Sequence, residues 1–445
     1  MSRTVRDLPT IEMPEDYPAR MPEFLAEMAT RHGPIFKRDW SPQQSIVYMV
    51  GPDANRFVLQ THRDHFSHDQ GWTPVIGEIL GKGLLNMDDP LHAVHRKMMN
   101  PAFTISYMER YLPIMRRVIA ERAATWVERE YVDLYAEARK ITFDVAAETL
   151  VGFRSGPELD RLREMFTQVL VGDFDPATDT EESYWQRILG VAMETHQRLL
   201  GMIEERRRAP AGAGFNDILT TLVHARDDEG NALSDEQLLG HVNILLVAGH
   251  ETSTALSSWL LYELATRPRW LGRVQAELRD VMGPDNTPLT LDQIKAMRTL
   301  HNVMTETGRL HPPAGNIPRG VVKPFEFSGY AIPVGTRVIY SIAASHLLPG
   351  VFAQPRVFDP DRFAPPREED KRTPYGLVTF GGGPRICIGI NFAQVEIKAL
   401  AAHVLQQYAL IPARDHPVEM HYYGPTGNIV TGIPMRVEPR VPVAK

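Results

Sequence analysis

The only cysteine of this 445-residue chain lies in a glycine-rich segment near the C-terminus. Residues Phe380 to Gly389 read FGGGPRICIG, and a lone thiol at Cys387 can form neither an intramolecular disulfide nor a multi-cysteine metal site. The glycines predict a tight turn whose backbone can approach something flat and large and whose N–H groups can hydrogen-bond a thiolate. A helical pattern from Gln394 places the sulfur just before a helix N-terminus, where the dipole lowers a thiol pKa. A buried, inert cysteine is the alternative interpretation.

The pattern Phe-x-x-Gly-x-Arg-x-Cys-x-Gly in this segment resembles the haem-thiolate signature of the cytochrome P450 family. The resemblance implies a mainly α fold with a smaller β region, one haem domain over residues 1–445, and an irregular start over residues 1–20. It also implies a haem b between a long central helix and the cysteine loop, with Cys387 as the axial iron ligand. Phe380 then packs near the sulfur, and Gly389 belongs to the cofactor site. The haem is non-covalent, since the chain has no Cys-x-x-Cys-His.

Several basic side chains match family positions that bind the haem propionates. His92 and Arg96 are spaced i and i+4 in a predicted helix that Pro90 opens, so they share one face. Taken alone, such a pair usually lies on the exposed surface and has no specific role. Buried propionates need fixed cationic partners, and a guanidinium suits a carboxylate. The resemblance therefore assigns propionate contacts to His92, Arg96, Arg319 and Arg385.

A second group of chemically suggestive residues lies inside a long predicted helix. The capping box at residues 234–237 starts a proline-free pattern that runs to about Thr266, long enough to cross the molecule. Residues 248–253 read AGHETS, in which the Thr252 hydroxyl can bond back to the carbonyl of Ala248. Such a bond bends a helix and opens a polar notch in an apolar wall. The alternative is a bent helix with an ordinary buried threonine.

The presence of a glycine and of an acidic residue in this motif needs an explanation. A glycine inside a helix costs up to about 1 kcal/mol relative to alanine, and close approach of a macrocycle to Gly249 would explain it. The resemblance implies that Glu251 and Thr252 relay protons to dioxygen. Helical spacing gives Leu245, Ala248 and Thr252 one shared face, which the resemblance places over the distal side of the haem. Ala248, like Gly249, is therefore expected to contact the cofactor. The candidate pocket residues are Leu245, Ala248, Ala314 and Ile317.

A third constellation is architectural. Glu306 and Arg309 lie three residues apart in a helix that stops at Pro312-Pro313, and Arg362 follows in a proline-rich meander. An exposed i, i+3 pair is worth only a few tenths of a kcal/mol. The resemblance instead implies a buried structural triad of Glu306, Arg309 and Arg362, and no role is assigned to His346.

The remaining elements are predicted from periodicity and breakers. A helix is expected over 21–32 and a hairpin or small sheet over 35–40 and 45–50. The irregular segment 65–86 is expected to be a substrate-covering loop. The acidic break at 172–180 resembles a mobile cap between two lid helices, although an ordinary solvated loop has the same composition.

Composition limits the partners and the compartment. The net charge of −7 gives no indication of nucleic-acid binding. No apolar run approaches the roughly 18 residues of a membrane span, and the N-terminus lacks a secretory apolar core. One unpaired cysteine agrees with a reducing compartment. We therefore expect a cytoplasmic, soluble monomer.

The resemblance implies a monooxygenase that inserts one oxygen atom from O₂ into a C–H or C=C bond of an apolar terpenoid, steroid, retinoid or fatty acid. The chain has no flavin-binding fingerprint and no cysteine set for an iron–sulfur cluster, so two electrons must come from outside. A ferredoxin or flavodoxin, reduced by an NAD(P)H-dependent reductase, is the expected donor. Its candidate docking residues are Lys97, Arg110, Arg116, Arg117 and Lys398.

Three alternatives remain at this point. The first is a peroxide-driven peroxygenase, although relatives of that kind tend to lose the acid–alcohol pair that this chain keeps. The second is a non-catalytic haem-binding protein for sensing or electron transfer. The third is a haem-free protein in which Cys387 is a redox-sensing thiol.

Overall fold

The structure, a computed structural model, describes residues 3–41, 44–154, 156–171, 180–209, 215, 217–283 and 288–440. Apart from Thr180, the acidic segment 172–180 lies outside these residues. The described chain is mainly helical, with smaller sheets, as the sequence predicts. Its sixteen α-helices include long elements and single turns.

The first eight helices are α1 (Tyr17–His32), α2 (Pro52–Arg56), α3 (His68–Leu80), α4 (Leu91–Met99), α5 (Ile105–Ala124), α6 (Leu134–Val151), α7 (Pro157–Val171) and α8 (Glu181–Arg208). The others are α9 (Ile218–His224), α10 (Asp235–Ala265), α11 (Pro268–Met282), α12 (Leu291–Ala296), α13 (Arg298–Leu310), α14 (Ile342–Ser345), α15 (Glu369–Arg372) and α16 (Ile390–Gln407).

The strands of the described residues form four small sheets. They are β1 (Arg3–Thr4), β2 (Ile35–Ser41), β3 (Gln44–Val50), β4 (Phe66–Ser67), β5 (Val132–Asp133), β6 (Asn316–Val321), β7 (Phe325–Phe327), β8 (Tyr330–Ile332), β9 (Arg337–Ser341), β10 (Tyr408–Pro412), β11 (Met420–His421), β12 (Asn428–Ile429) and β13 (Pro434–Pro439). The largest sheet has the order β2-β3-β9-β6-β4; the others are β1-β8-β7, β10-β13-β5 and β11-β12. The predicted hairpin over 35–40 and 45–50 is confirmed as the antiparallel pair β2–β3.

Helix α10 is the 31-residue element around which the other helices pack. The predicted capping box is present: Ser234 Oγ accepts from the Gln237 amide at 3.2 Å, and Gln237 Oε1 accepts from the Ser234 amide at 2.9 Å. The helix packs against α6, α8, α13 and α16, and most of its side chains are buried in the largest apolar core. This helix is buried on most sides. The few residues on it that stay accessible therefore face a space inside the protein.

The segment 65–86 differs from the expectation of an irregular loop. Most of it is helix α3, which begins at the Ser67 cap: Ser67 Oγ accepts from the Gln70 amide at 3.0 Å. The helix tolerates internal Gly71 and Pro74 because tertiary packing stabilises it. A Cβ on Gly71 would lie 2.5 Å from the Pro318 carbonyl oxygen, so α3 lies directly on the backbone of β6.

The N-terminal region is also partly regular. Residues 1–20 were expected to be irregular, but they contain β1, which pairs in parallel with β8, and the first turn of α1. Within the described residues, no helix is long and apolar enough to cross a membrane.

Candidate active site

The cysteine loop is closed by backbone hydrogen bonds and leads into α16. The Cys387 amide donates to the Phe380 carbonyl at 2.8 Å, and the Gly389 amide donates to the Cys387 sulfur. Helix α16 begins at Ile390, so the predicted position of the sulfur before a helix N-terminus is confirmed. The loop therefore presents one thiol in a fixed backbone frame.

The third glycine of the loop packs closely on another part of the chain. Gly383 has φ +61°, and a Cβ there would lie 2.4 Å from the Leu59 carbonyl oxygen. The turn therefore packs on the backbone of the 57–61 helical segment, and its approach to a flat ligand stays a prediction. Only glycine meets both the left-handed φ and the close approach.

The sequence predicts a lowered pKa for Cys387, but the polypeptide alone does not lower it. Burial raises the pKa of the thiol, and the Gly389 amide and the charge of Arg96 offset only part of this rise. The side chain is nevertheless accessible, which indicates that it faces a space inside the protein. A bound cation such as iron would keep this sulfur a thiolate.

The middle of α10 offers an accessible face of its own. Ala248 is exposed although it lies halfway along a buried helix, and Thr252 is only partly buried. Thr252 Oγ1 donates to the Ala248 carbonyl at 2.8 Å, which confirms the predicted back-bond. This hydroxyl and the carbonyl that it contacts form a polar notch in an otherwise apolar helix face.

Gly249 lies on another side of the same helix. A Cβ there would contact Leu150 at 3.8 Å and Ala146 at 4.0 Å, both on α6. The structure thus gives this glycine a helix-packing environment in addition to its predicted contact with the cofactor. An alanine would fit at these ordinary contact distances.

The Glu251 carboxylate points towards α6 and is held there by two basic groups. Arg139 Nε lies 3.2 Å and His250 Nε2 lies 3.0 Å from Glu251 Oε1, and Arg139 also donates to the Tyr135 hydroxyl at 3.0 Å. Burial acts to raise the pKa of Glu251, but the hydrogen bond from His250 and the charge of Arg139 outweigh it and lower the pKa to about 2. The carboxylate is therefore ionised in this arrangement.

His250 is fixed by contacts at both ring nitrogens. Its Nδ1 lies 2.6 Å from the Leu246 carbonyl, and its Nε2 lies 3.0 Å from Glu251 Oε1. Arg139 and His250 thus hold Glu251 from two sides, an arrangement that sequence reasoning missed. A residue 112 positions away cannot be paired with Glu251 from spacing alone.

The predicted propionate residues converge beside the cysteine loop. Arg96 Nη2 donates to the Ile386 carbonyl at 2.6 Å and so links α4 to that loop. Burial first, and then the charge of Arg385, lowers the pKa of His92 to about 4. Burial likewise lowers the pKa of Arg385 to about 10, with nearby Arg319 acting in the same direction. Asp89 Oδ1 lies 3.3 Å from His92 Nδ1 and 3.9 Å from Arg385 Nη2, so these two side chains are close together.

This cluster fits an anionic cofactor edge. Arg319 is buried, and its Nη1 donates to the neighbouring Pro318 carbonyl at 2.7 Å. Two carboxylates offset part of this positive charge: Asp88 accepts from Ser67 Oγ at 2.6 Å, and Asp89, which accepts from Arg63 at 3.0 Å, also contacts His92 and Arg385. A surplus of partly buried positive charge is stabilised by a bound dianion such as a pair of propionates. The residues present therefore fit haem, and Cys387 would supply its thiolate ligand.

Half-buried His68 joins this cluster without having been predicted. Burial first, and then the charges of Arg319, Arg385 and His92, holds its pKa well below the ordinary value. No sequence signal identifies it, because the helix that carries it was not predicted.

We expect Arg319→Met to weaken haem retention. The side chain keeps its length but loses the guanidinium, and a hydrogen bond to a charged group contributes about 1.5–3 kcal/mol. Transfer of haem to a competing apo-globin should be at least about tenfold faster at that free-energy cost. Arg337→Met, at an exposed position of β9, is the matched control and should leave the transfer rate unchanged.

The predicted architectural triad is present and fully buried. Glu306 accepts from Arg309 Nε at 2.7 Å and Nη2 at 2.8 Å, from Arg362 Nε at 2.9 Å and from the Asp359 amide at 2.8 Å. Arg362 also donates to Glu369 at 2.7 Å. Two guanidinium groups thus share one carboxylate and join α13 to the meander.

His346, which has no role in the sequence-based prediction, extends the triad towards the cysteine loop. The Val378 amide donates to its Nε2 at 3.0 Å, so the ring carries its proton on Nδ1, which donates to the Arg309 carbonyl at 3.1 Å. Burial and the charge of Arg309 lower its pKa to about 3, consistent with a neutral ring.

The candidate pocket residues come from two elements. Leu245 is half-buried and Ala248 is exposed, and both lie on α10. Ala314 is half-buried and forms an isolated bridge with Thr426, whereas Ile317 is buried in the core of the large sheet. Their assignment to a substrate pocket stays a prediction, as do the catalytic roles of Glu251 and Thr252.

The prediction that Lys398 belongs to the docking face for the electron donor is wrong. Lys398 is buried, and its Nζ donates to the Ile294 carbonyl at 3.2 Å, so it cannot meet a partner protein. Arg117 is paired with Glu121 and Glu148, and exposed Lys97 is paired with Asp228 at 2.7 Å, whereas Arg110 is exposed.

Comparisons with known proteins agree with this site. The cytochrome P450 family profile matches residues 12–435. A cytochrome P450 136 of Mycobacterium tuberculosis is 32% identical over 425 residues, which cover 94% of this chain and 85% of that protein. A cytochrome P450 120 of Synechocystis is 31% identical over 400 residues, with 88% and 87% covered. The chain belongs to the cytochrome P450 family.

The fold comparison gives the same result. The solved structure of retinoic acid-bound cyanobacterial CYP120A1 superposes with a TM-score of 0.84 at 26% identity, covering 99% of this chain and 100% of the other. The protein is therefore a haem-thiolate monooxygenase with haem b as its cofactor. In general, members of this family take electrons from redox partners and bind apolar substrates.

Proposed function

We propose that this protein inserts one oxygen atom from O₂ into a C–H or C=C bond of a retinoid-like isoprenoid. Terpenoids, steroids and fatty acids are the neighbouring substrate classes. The observation that supports this proposal most is the accessibility of Ala248, which lies inside a buried apolar helix, one turn before Thr252. A relative of the same fold is described as retinoic acid-bound, which favours the retinoid class.

The proposed proton path runs through Glu251 and Thr252. Haem with a thiolate ligand supplies dioxygen activation when bound. Neighbouring residues of a helix point about 100° apart, so Glu251 faces α6 while Thr252 faces the accessible side. We therefore propose that Glu251 gains a proton and turns away from Arg139 to pass it towards the Thr252 hydroxyl.

The electron donor is proposed to be a ferredoxin or flavodoxin fed by an NAD(P)H-dependent reductase. Exposed Lys97 and Arg110 lie on α4 and α5, and α4 also contacts the cysteine loop through Arg96. An acidic donor protein would meet the positive charge of Arg110 there and would compete with Asp228 for Lys97. Charge complementarity mainly raises the association rate.

A binding screen tests the substrate proposal. Purified haem-loaded protein is titrated with retinoids, terpenoids, steroids and fatty acids, and each spectrum is compared with that of the unliganded protein. We expect the largest shift of the haem absorption band, and the tightest binding, with a retinoid. Tighter binding of a fatty acid or steroid, or no response to any retinoid, would contradict the proposed class.

Turnover then distinguishes the peroxide-driven alternative. Retention of Glu251 and Thr252 supports turnover with O₂ and a reductase system. We expect oxidised product from NAD(P)H, reductase and ferredoxin or flavodoxin. Product formed only from hydrogen peroxide would contradict the proposal.

A further inference from the structure

The residues that follow α3 cross the N-terminal part of α10 in direct backbone contact. We call residues 81–86 the crossing segment. A Cβ on Gly240 would lie 2.1 Å from the Lys82 carbonyl oxygen, and a Cβ on Gly83 would lie 2.6 Å from the Gly240 carbonyl oxygen. No side chain fits at either position, so the two backbones meet at paired glycines.

Hydrogen bonds from one asparagine fix the shape of the crossing segment. Asn86 Oδ1 accepts from the Gly83 amide at 2.9 Å, and Asn86 Nδ2 donates to the Gly81 carbonyl at 3.1 Å and to Thr73 Oγ1 at 3.2 Å. Asn86 is fully buried. The segment is therefore a preformed turn rather than a loose loop.

Two buried histidines connect this turn to α10 and α4. The Leu84 amide donates to His241 Nδ1 at 3.2 Å, and His241 Nε2 lies 2.8 Å from His95 Nδ1. Since His241 Nδ1 accepts, a neutral ring carries its proton on Nε2 and donates it to His95 Nδ1. The Leu84 amide, His241 and His95 thus form a chain of hydrogen bonds, which we call the relay. The hydrogen bonds of the relay run in one direction, from Leu84 through His241 to His95, and both rings are neutral.

The surroundings of the two rings agree with neutral histidines. Burial first, and then the nearby charges that His95 and His92 would carry, lowers the pKa of His241 to about 3. Burial lowers the pKa of His95, and Asp227 opposes this only in part. A proton on an accepting nitrogen would remove one hydrogen bond of the relay.

The relay lies between parts of the proposed active site. On α4, His95 is flanked by the predicted propionate residues His92 and Arg96. On α10, His241 lies one turn before Leu245 and two turns before Ala248. The crossing segment thus covers the stretch of α10 that leads to the accessible face.

We propose that His241 and His95 are positioning residues that keep the crossing segment closed on α10 while ligands reach the haem pocket. The proposal rests on the proposed function, because it takes the face at Ala248 as the pocket. The segment then acts as a fixed wall that limits the size of ligand admitted from this side. Breaking the relay should open the wall to bulky ligands and leave small ones unaffected.

Hydrogen exchange measured by mass spectrometry tests the wall without any ligand. In His241→Phe the Leu84 amide loses its acceptor, and the loss of one buried hydrogen bond corresponds to roughly tenfold faster exchange over residues 81–86. His241→Asn places an amide oxygen near the former Nδ1 and should restore most of the protection. Unchanged exchange in His241→Phe, or equal acceleration in both variants, would overturn the proposal.

A second variant covers the case in which His241→Phe does not fold. His95→Phe removes the acceptor of His241 Nε2 and should accelerate exchange of the same residues. His301→Phe, on α13, is the matched control and should leave exchange over 81–86 unchanged. Protected amides in a folded His95→Phe would count against the relay.

Binding kinetics of nitrogen ligands supply the readout at the pocket. Imidazole is the small probe, and an azole with three aromatic rings is the bulky probe. We expect His241→Phe to bind the bulky azole several-fold faster and imidazole at the wild-type rate. Equal acceleration of both would contradict a size-limiting wall. If wild-type protein gave no nitrogen-ligand spectrum at all, the proposed haem pocket itself would fail, whereas the exchange experiment would still test the relay.

Discussion

Replacing Glu306 by glutamine is expected to cost about 3–5 kcal/mol of folding free energy, because it leaves two buried guanidinium groups without their shared carboxylate. The loss should reach the cysteine loop. Arg309 is joined through its carbonyl to His346, and His346 accepts from the Val378 amide just before that loop. We therefore expect both a lower urea midpoint and a lower ratio of haem to protein absorbance.

The control for this variant is an exposed pair of the same spacing. Glu164 accepts from Arg161 at 3.4 Å on α7, and its side chain is 58% exposed. Glu164→Gln should change stability by less than about 1 kcal/mol, as exposed pairs do. If Glu306→Gln were as stable and as haem-loaded as Glu164→Gln, the triad would not be the support we infer.

Replacing Thr252 by alanine is expected to divert electrons from product to hydrogen peroxide. The hydroxyl that donates to the Ala248 carbonyl is the polar group of the notch, and without it the proposed path from Glu251 loses its second proton-passing side chain. Product formed per NAD(P)H should fall at least about tenfold, since general-acid groups contribute typically 10²–10⁴-fold. Peroxide release and product are measured together with the substrate found in the binding screen.

Thr252→Ser is the matched control, because serine keeps the hydroxyl and loses only a methyl group. It should retain most of the coupling between NAD(P)H oxidation and product. The absorption spectrum of both variants should match the wild type, as neither change touches the cysteine loop. A Thr252→Ala variant that stays fully coupled would remove Thr252 from the proposed proton path.

The cysteine loop and α10 were predictable because their signals are local. A capping box marks the start of α10, and the Thr252 back-bond spans only four residues. The glycines of the cysteine loop signal a tight turn, although their partner, the backbone at Leu59, is more than 300 positions away in the chain. Local chemistry thus predicted the turn and not its partner.

Helix α3 was missed because its sequence contains internal helix breakers. Gly71 and Pro74 disfavour a helix in isolation. The close packing of Gly71 on β6 and the Ser67 cap reverse that preference. Here tertiary contacts override local propensity, which a single sequence does not reveal.

The charged environment of the site was the least predictable part. Arg139 reaches Glu251 from α6, and Lys398 is buried beside α12 despite its charge. Neither fact follows from composition or spacing, because each depends on which helix faces pack together. The same holds for the pair of His95 and His241, which lie 146 residues apart.

The proposed function depends most on the sulfur of Cys387 binding the haem iron. The direct measurement is the absorption spectrum of the reduced, carbon-monoxide-treated protein, recorded beside Cys387→Ser. We predict a band at the wavelength characteristic of thiolate ligation for the wild type and its loss in the variant. A wild-type band typical of histidine-ligated haem, or the same band in both proteins, would contradict the account.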